Sequence, residues 1–311
     1  MVNFNCQICN APFDGEKKLH FHLKSHRITL ANYYQNYYPR KDKLTGEFIQ
    51  FKNKEQYFES DFNNKNNFKK WAQTSDPKEV GEYCKNLILK RKEKKKPIYP
   101  FSQVELKSSG LPSINFLETV LGDYYKFCED NGFEKKFLNP NDVIFCENKK
   151  NYSFIKVDTR EQKPLEFSVP IEVGKLSFGD YCCSDLDISG NVFIERKSLA
   201  DFIGTLAKGY DRFCREIERA AEEDSQIVVL VENIFSTSLH FNYLPYINRN
   251  TKINPDFIFH KVRSLVHIYK NVQFLFVDGR SECSRVMEKI FSNKDIAKNY
   301  DLQLLYDIRK L

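Results

Sequence analysis

The sequence lacks the features that would assign it to a membrane or a secreted class. No apolar run approaches the length of a membrane-spanning helix. The opening residues, Met1–Cys6, have neither the basic nor the apolar region of a signal peptide. Nine cysteines, an odd number without secretory context, favour reduced thiols. We therefore expect an intracellular protein with no membrane partner, nuclear in a eukaryote and cytoplasmic in a prokaryote or virus.

Charge is unevenly distributed along the 311 residues. The formal net charge is +6, and the basic excess lies in residues 1–150, whereas residues 151–311 are close to neutral. A basic segment attracts polyanions such as nucleic acid. We therefore expect the front half to bind DNA and the back half to supply acids that attract a metal ion.

Three short segments of the back half are predicted to be strands that carry acids. Ser153–Val157 is rich in apolar residues and is followed at once by Asp158. Lys175–Cys183 and Asn191–Lys197 are the other two predicted strands, and the turn-forming residues 184–190 separate them. We therefore expect the second and third strands to form a hairpin.

This hairpin would bring two acids together. The midpoint between Asp180 and Glu195 falls in the turn, so the two carboxylates are expected to lie opposite each other, close enough to share an ion. The period of two along a strand places Glu195 and Lys197 on the same face. Collecting this much negative charge is costly unless a cation is present. Carboxylates beside a lysine are typical of a metal-dependent phosphodiesterase.

The same residues resemble the XPF-type nuclease family, a branch of the PD-(D/E)XK fold group. Its signature is a Gly-Asp, a variable spacer, Glu-Arg-Lys, three residues and Asp, and it is found here at Gly179-Asp180, Glu195-Arg196-Lys197 and Asp201. The upstream Asp-x-Arg-Glu of the family is found at residues 158–161. The resemblance covers roughly residues 152–292.

The resemblance implies a DNA endonuclease in DNA repair, recombination or mobile-element or viral DNA processing. In that family pattern Asp180 and Glu195 hold Mg²⁺ or Mn²⁺, and Lys197 positions or activates the attacking water. The resemblance also implies a homodimer through the nuclease domain. Asp201 has a structural alternative, because Ser198 to Asp201 forms a capping box. The residues implied to complete the site are Asp158, Arg160, Glu161, Arg196 and Asp201.

A second motif lies near the start of the chain. Its spacing, Cys6-x2-Cys9-x12-His22-x3-His26, is that of a two-Cys, two-His zinc finger. Two thiolates and two imidazoles satisfy tetrahedral zinc, which would supply the stability that so short a segment lacks. The finger is followed by no second finger, and phosphate contact through Lys17 and Lys18 is favoured over sequence readout. Protein binding is the alternative. His20 is predicted to be an exposed residue and not a ligand.

The middle of the chain matches no pattern of known chemistry. Its aromatic and basic residues could stack bases and pair phosphates, but most rings are expected to fill a small core. Asp76–Lys96 and Leu117–Asn131 are predicted helices. The basic run at residues 90–96 is interpreted as a phosphate-contacting tail, a solvated linker or a nuclear-import signal.

The rest of the back half predicts alternating helices and strands. Leu199–Asp224 has helical spacing with a break near Gly204 or Gly209, and Lys208 and Arg212 on it are candidate DNA-backbone contacts. Its Arg212–Glu216 spacing is also that of a helix ion pair. The fold class expected is α/β, a restriction-endonuclease-like mixed sheet flanked by helices. The domains expected are a zinc finger at 1–28, a basic, aromatic-rich and mainly helical region at 29–150, a nuclease domain at 151–295 and a C-terminal tail at 296–311.

Two rival functions remain open. The chain has no room after the nuclease for the tandem helix-hairpin-helix of familiar eukaryotic members, which weakens the expectation of forked or branched substrates. One rival is therefore a restriction or homing type of endonuclease that cuts duplex DNA at recognised sequences. The other is a non-catalytic DNA-binding or recruitment protein.

Overall fold

The computed structural model describes residues 4–39, 48, 71–72, 74–93, 96–145, 152–184, 192–244, 247 and 253–311. The chain forms two compact units, Met1–Pro77 and Lys78–Leu311. No helix among the described residues is long and apolar enough to span a bilayer.

The first unit begins with a small ββα arrangement. It consists of β1 (Phe4–Asn5), β2 (Pro12–Phe13), α1 (Glu16–His22), a 3₁₀ turn (Leu23–His26) and α2 (Leu30–Tyr37). Its core contains Leu19, Leu23 and Tyr33, all buried. Tyr33 comes from α2, and its hydroxyl accepts a hydrogen bond from the Gln7 amide at 3.0 Å. The helix after the ββα unit therefore completes this core with Tyr33, whereas Tyr37 and Tyr38 of the same segment are exposed.

The centre of the second unit is a six-stranded mixed sheet. Its strands are β3 (Ile155–Asp158), β4 (Ile171–Gly174), β5 (Tyr181–Cys183), β6 (Val192–Lys197), β7 (Gln226–Val231) and β8 (Val272–Phe276). They lie in the order β4-β3-β5-β6-β7-β8. The predicted antiparallel meander is β3, β5 and β6, and β6, β7 and β8 run parallel. The parallel edge strand β4 is an addition to the predicted strands.

The strand predicted over Lys175–Cys183 is shorter than expected. The Leu176 amide donates to the Asp158 carboxylate at 2.8 Å instead of to a neighbouring strand. Gly179 has a φ of 60°, a left-handed conformation that bends the chain just before β5. The segment before Asp180 is therefore a turn.

Helices cover both faces of the sheet, so the predicted mixed sheet flanked by helices is confirmed. On one face, Phe193, Val229 and Phe274 pack against α7 (Leu199–Ala207), α8 (Tyr210–Glu222) and α10 (Pro255–Ile268). On the other, Ile194 and Leu230 pack against α11 (Gly279–Ser292), α12 (Asp295–Asn299) and α13 (Leu302–Asp307). The short helix α9 (Phe235–Ser238) follows β7. Alternate residues of β6 and β7 thus enter two different cores.

Glycine breaks two of the predicted helices. The break between α7 and α8 is at residues 208–209, while Gly204 stays inside α7. The helix predicted over Leu117–Asn131 is instead two helices, because Gly122 has a φ of 76° between them. These are α5 (Ile114–Leu121) and α6 (Tyr124–Asp130), and they follow α3 (Pro77–Leu89) and α4 (Gln103–Ser108).

Residues 78–145 pack onto the sheet domain within the second unit. The Gln103 backbone amide donates to the Asp301 carboxylate at 2.6 Å, and the Arg263 guanidinium donates to the Ser108 carbonyl at 3.0 Å. Arg91, in the basic run, is buried and forms an ion pair with Glu105 at 2.9 Å. This arginine is therefore part of a core and not of a phosphate-contacting tail. Of the other basic residues in that run, Lys94 and Lys95 lie outside the described residues.

The end of the chain also contributes to the core. Leu302 and Leu305 of α13 and the final residue, Leu311, are buried against α11. The Gln303 side chain accepts a hydrogen bond from the Phe276 amide of β8 at 2.8 Å. The segment predicted to be a tail, residues 296–311, therefore packs on the sheet.

Candidate functional site

The hairpin brings Asp180 near Glu195, whose charge acts on it. Tyr181 pairs with Ile194 in the β5–β6 ladder, and Asp180 and Glu195 directly adjoin this pair in the chain. The Asp180 amide donates to the Ile194 carbonyl at 2.9 Å. A Cβ on Gly179 would lie 3.0 Å from that same carbonyl oxygen. Both the positive φ and this close approach require glycine before the acid.

Glu195 and Lys197 lie on one face of β6, as their spacing predicts. Lys197 Nζ donates to Glu195 Oε1 at 2.6 Å, and both side chains are mostly buried. Their face is the one whose apolar member, Phe193, packs under α7 and α8. Arg196 points to the opposite face, so the Glu-Arg-Lys triplet is divided between two environments.

Asp180 carries charge that the protein leaves poorly neutralised. Its Oδ2 accepts a hydrogen bond from the Arg196 amide at 2.8 Å. Burial, followed by the nearby charge of Glu195, raises the pKa of Asp180 to about 7. A divalent cation would offset this repulsion, and carboxylate oxygens are the ligands that Mg²⁺ and Mn²⁺ prefer. The donor set of Asp180 and Glu195 therefore fits such an ion.

Asp158 is fully buried and serves as a brace for the loops that flank the site. One carboxylate oxygen accepts from Arg160 N at 2.9 Å and Arg160 Nε at 2.6 Å, and the other accepts from Leu176 N at 2.8 Å. Burial alone would raise the pKa of Asp158, but these hydrogen bonds outweigh it and the pKa is lowered. Both oxygens are thus already occupied by protein donors.

Arg196 and Glu161 form an ion-pair network behind the site. Both Glu161 oxygens accept from Arg196, at 2.8 and 2.9 Å from Nη2, and Nε adds a third bond at 3.0 Å. Nη1 donates to Glu232, at the end of β7. Arg280 also pairs with Glu232, at 3.5 Å. This network joins the loop after β3 to β6 and β7, and it lies on the face away from Glu195 and Lys197.

Asp201 occupies the structural position that its capping-box spacing predicts. The Asp201 amide donates to Ser198 Oγ at 3.1 Å, and Ser198 Oγ donates to Asp201 Oδ2 at 2.7 Å. Asp201 also lines an open groove with Lys197, Lys208 and Arg212. This groove runs from Lys197 along α7 to the start of α8, with the basic side chains of Lys208 and Arg212 at its far end.

Two acids near the site were not selected from the sequence. Glu232 ends an apolar strand, which is the signal that singled out Asp158, and it pairs with Arg196. Glu216, on α8, accepts a long hydrogen bond of 3.5 Å from the Gly179 amide. The predicted Arg212–Glu216 ion pair is absent, although both residues are described, because Glu216 turns towards this glycine.

The two-Cys, two-His motif converges on one point. The ligand atoms of Cys6, Cys9, His22 and His26 all lie within 4.8 Å of one another, with Cys9 Sγ 3.2 Å from His22 Nε2. A tetrahedron of Zn–N and Zn–S bonds has edges of about 3.3–3.8 Å. The donor set therefore fits zinc, and the Cys9–His22 and Cys6–His26 distances of 3.2 and 3.6 Å are close to these edges.

Other predicted residues of the finger differ in their surroundings. Lys18 is exposed and forms an ion pair with Asp14 at 2.7 Å, and Lys17 is exposed with no partner among the residues described. His20 is not an exposed spare residue, since it is largely buried and lies 2.8 Å from the Tyr34 hydroxyl. Phe21, in contrast, is 73% exposed on α1.

Comparison with known proteins gives matches to the sheet domain. Residues 157–290 match the model of the ERCC4 domain family. The solved structure described as XPF from Aeropyrum pernix is 19% identical, with a TM-score of 0.34, over 46% of this chain and 61% of that one. A second, XPF from Aeropyrum pernix in complex with DNA, is 19% identical with a TM-score of 0.33, over 50% and 73%. No curated protein gives a significant match.

Proposed function

We propose, from the premise that residues 157–290 are an ERCC4 domain of the XPF nuclease type, that this protein is a metal-dependent DNA endonuclease. The observation that carries the proposal is the meeting of Asp180, Glu195 and Lys197 at one end of the β5–β6 hairpin. Two carboxylates and a lysine at one point are what hydrolysis of a phosphodiester requires.

Asp180 and Glu195 are the residues that would hold Mg²⁺ or Mn²⁺. Such an ion lowers the pKa of a bound water and offsets the charge that develops on the phosphate. The protein supplies the rigid part of the arrangement, since Glu195 lies on the paired strand β6 and Asp180 ends the turn that leads into β5. Asp158 and Arg196 hold the adjoining turns in place through their hydrogen bonds. Preorganised donors of this kind need no rearrangement during the reaction.

Lys197 is the residue proposed to contact the reacting phosphate. Its ammonium donates a hydrogen bond to Glu195 Oε1. At this position Lys197 would offer its charge to a phosphate oxygen or orient the attacking water. The groove beyond it, lined by Lys208 and Arg212, is proposed to hold the DNA backbone.

The finer features of the proposal follow the resemblance. They are selectivity for forked or branched DNA, a role in repair, recombination or mobile-element or viral DNA processing, and assembly as a homodimer. The Cys6, Cys9, His22 and His26 cluster is proposed to bind structural zinc, with Lys17 and Lys18 contacting phosphate.

Cleavage of a labelled DNA panel tests the proposal. Single-stranded, duplex, forked and four-way DNA are incubated with the wild type, Glu195→Gln and Glu172→Gln, with and without Mg²⁺. Glu172 lies exposed on the edge strand β4 and serves as the matched control. We expect the wild type and Glu172→Gln to cut forked DNA only with Mg²⁺, and Glu195→Gln to be slower by about a hundredfold or more.

The rival functions give different results on the same panel. Equal cutting of linear duplex at one sequence would favour a restriction or homing type of enzyme. Binding without cutting by the wild type, in either Mg²⁺ or Mn²⁺, would favour a recruitment protein. Equal cutting by the wild type and Glu195→Gln would show that the acids are assigned to the wrong role.

A further inference from the structure

Helix α8 carries one acid that does not behave like its other acids. Asp211, Glu218 and Glu222 are exposed on its outer side. Glu216 is half-buried on the inner side, in line with the buried residues Phe213, Ile217 and Ala220. A carboxylate placed on an apolar helix face costs free energy unless something there uses its charge.

The Glu216 side chain extends from this face to the turn that delivers Asp180. Its Oε1 accepts from the Gly179 amide, but at 3.5 Å the bond is long and weak. Its Oε2 accepts no hydrogen bond from any described residue. No described cation forms an ion pair with it, including Arg212 one turn earlier. The protein therefore orients this carboxylate without neutralising it.

The charges that act on Glu216 are those of the nuclease site. Burial raises its pKa, and the next largest contribution is the charge of Glu195, while Lys197 acts in the opposite direction. Glu195 and Lys197 also act on Asp180. Glu195 therefore acts on both Asp180 and Glu216, and the positive charges of Lys197 and Arg160 act on Glu216 without preventing the rise of its pKa.

We propose that Glu216 is a third carboxylate of the divalent-cation site, contributing its charge to the binding of Mg²⁺ or Mn²⁺ beside Asp180 and Glu195. This inference rests on the proposed metal-dependent nuclease. It gives α8 a role in the site that is not evident from the sequence, because Glu216 is spaced from Arg212 as in an ordinary helix ion pair. A third acid from a helix would hold the cation on a second, independent element.

Calorimetric titration with Mn²⁺ tests the proposal without relying on activity. The full chain is first supplied with zinc, so that zinc occupies the Cys/His cluster. Mn²⁺, which prefers oxygen ligands, does not then compete for that cluster. Four proteins are compared: the wild type, Glu216→Gln, Glu195→Gln and Glu218→Gln. Gln at position 216 keeps the size and the acceptor for the Gly179 amide but removes the charge. Glu218→Gln removes an exposed charge from the same helix.

We expect Glu216→Gln to weaken Mn²⁺ binding by about tenfold or more, with Glu218→Gln unchanged. Cleavage by Glu216→Gln should return towards the wild-type rate at high Mn²⁺, which a purely structural defect would not allow. If Glu216→Gln fails to fold, Glu216→Asp, with the charge kept on a shorter side chain, should still bind Mn²⁺ more weakly than the wild type.

Two outcomes overturn the inference at different levels. In the first outcome, Glu216→Gln (or Glu216→Asp, if only that variant folds) binds Mn²⁺ with wild-type affinity while Glu195→Gln binds it more weakly. This result removes Glu216 from the site and leaves the proposed function intact. Absence of Mn²⁺ binding to the wild type, together with no cleavage of any DNA, removes the proposed function and this inference with it.

Discussion

The two candidate metal centres of this protein differ in what holds their ligands in place. The cysteines and histidines come from residues 6–26, and the core beneath them is a few side chains such as Leu19 and Tyr33. The carboxylates at Asp180 and Glu195 are held by a sheet with a core on each face. Metal is therefore expected to be part of the fold in the first centre and an addition to a finished fold in the second.

Removal of one finger ligand should have the largest effect. Cys9→Ala leaves three ligands, and structural zinc supplies on the order of 10–16 kcal/mol in such segments. We expect residues 4–38 to unfold, while residues 78–311 stay folded. Limited proteolysis with mass spectrometry locates the cleaved segment.

The finger has a matched control in His20. His20→Ala removes an imidazole that lies beside Tyr34 and outside the ligand cluster, so zinc content should not change. A protease-resistant finger in Cys9→Ala would contradict the view that metal holds this unit together.

Loss of Arg196 should have the next largest effect, because the second centre is supported by ion pairs and not by metal. Arg196→Met leaves Glu161 and Glu232 without their main partner, and the Arg196 and Glu161 side chains are only 12% and 7% exposed. Breaking a buried pair in this way costs about 3–5 kcal/mol. Urea denaturation measures this change in the free energy of unfolding.

Arg280→Met is the matched control for that measurement. Arg280 pairs with the same Glu232 at 3.5 Å but is 44% exposed, so the loss should stay below about 1 kcal/mol. Equal losses in the two variants would mean that the network behind the site is a surface feature and not a support.

Ligands and acids whose positions follow local rules could be predicted from the sequence. The finger spacing fixes which four side chains meet, because one turn and one helix determine their positions. The Asp180–Glu195 pairing follows from hairpin symmetry. The hydrogen bonds that Arg160, Leu176 and Arg196 donate to Asp158 and Glu161 do not follow from the motif. Those partners are set by tertiary contacts.

The remaining differences also arise from tertiary structure. Strand β4 was missed because it is an edge strand of only 4 residues, too short for its Ile-Glu-Val alternation to be a strong signal. Glu216 was missed because its helical spacing from Arg212 favoured its interpretation as an ion-pair partner of that residue. Only the position of α8 against the Gly179 turn separates the two interpretations.

The pH dependence of stability should reveal the unneutralised charge of the second centre. In the unfolded chain Asp180 ionises near its ordinary pKa of 3.8, whereas in the folded protein its pKa is about 7. The folded state therefore binds more protons between these values, and its stability falls as pH rises from about 4 to 7. Asp180→Asn removes this penalty, so in Mg²⁺-free buffer it should be more stabilising at pH 8 than at pH 5.

Urea midpoints at the two pH values measure the effect. Adding Mg²⁺ at pH 8 should stabilise the wild type and not Asp180→Asn, since a ligand bound only by the folded state adds stability. An advantage of Asp180→Asn that is the same at pH 5 and pH 8 would show that Asp180 does not carry the excess charge.

The smallest effect on stability and cleavage is expected at Asp201, which takes part in the N-terminal cap of α7 and also lines the groove beside Lys197. Its carboxylate accepts from Ser198 Oγ, which in turn accepts from the Asp201 backbone amide as the N-cap of α7, so Ser198→Ala should cost about 1 kcal/mol of stability. Asp201→Asn keeps an oxygen for that bond and should cleave DNA at the wild-type rate. Urea midpoints and single-turnover cleavage separate the two properties. A strong loss of cleavage with unchanged stability in Asp201→Asn would instead make the groove beside Lys197 part of the reaction centre, and the metal-binding region would then extend onto α7.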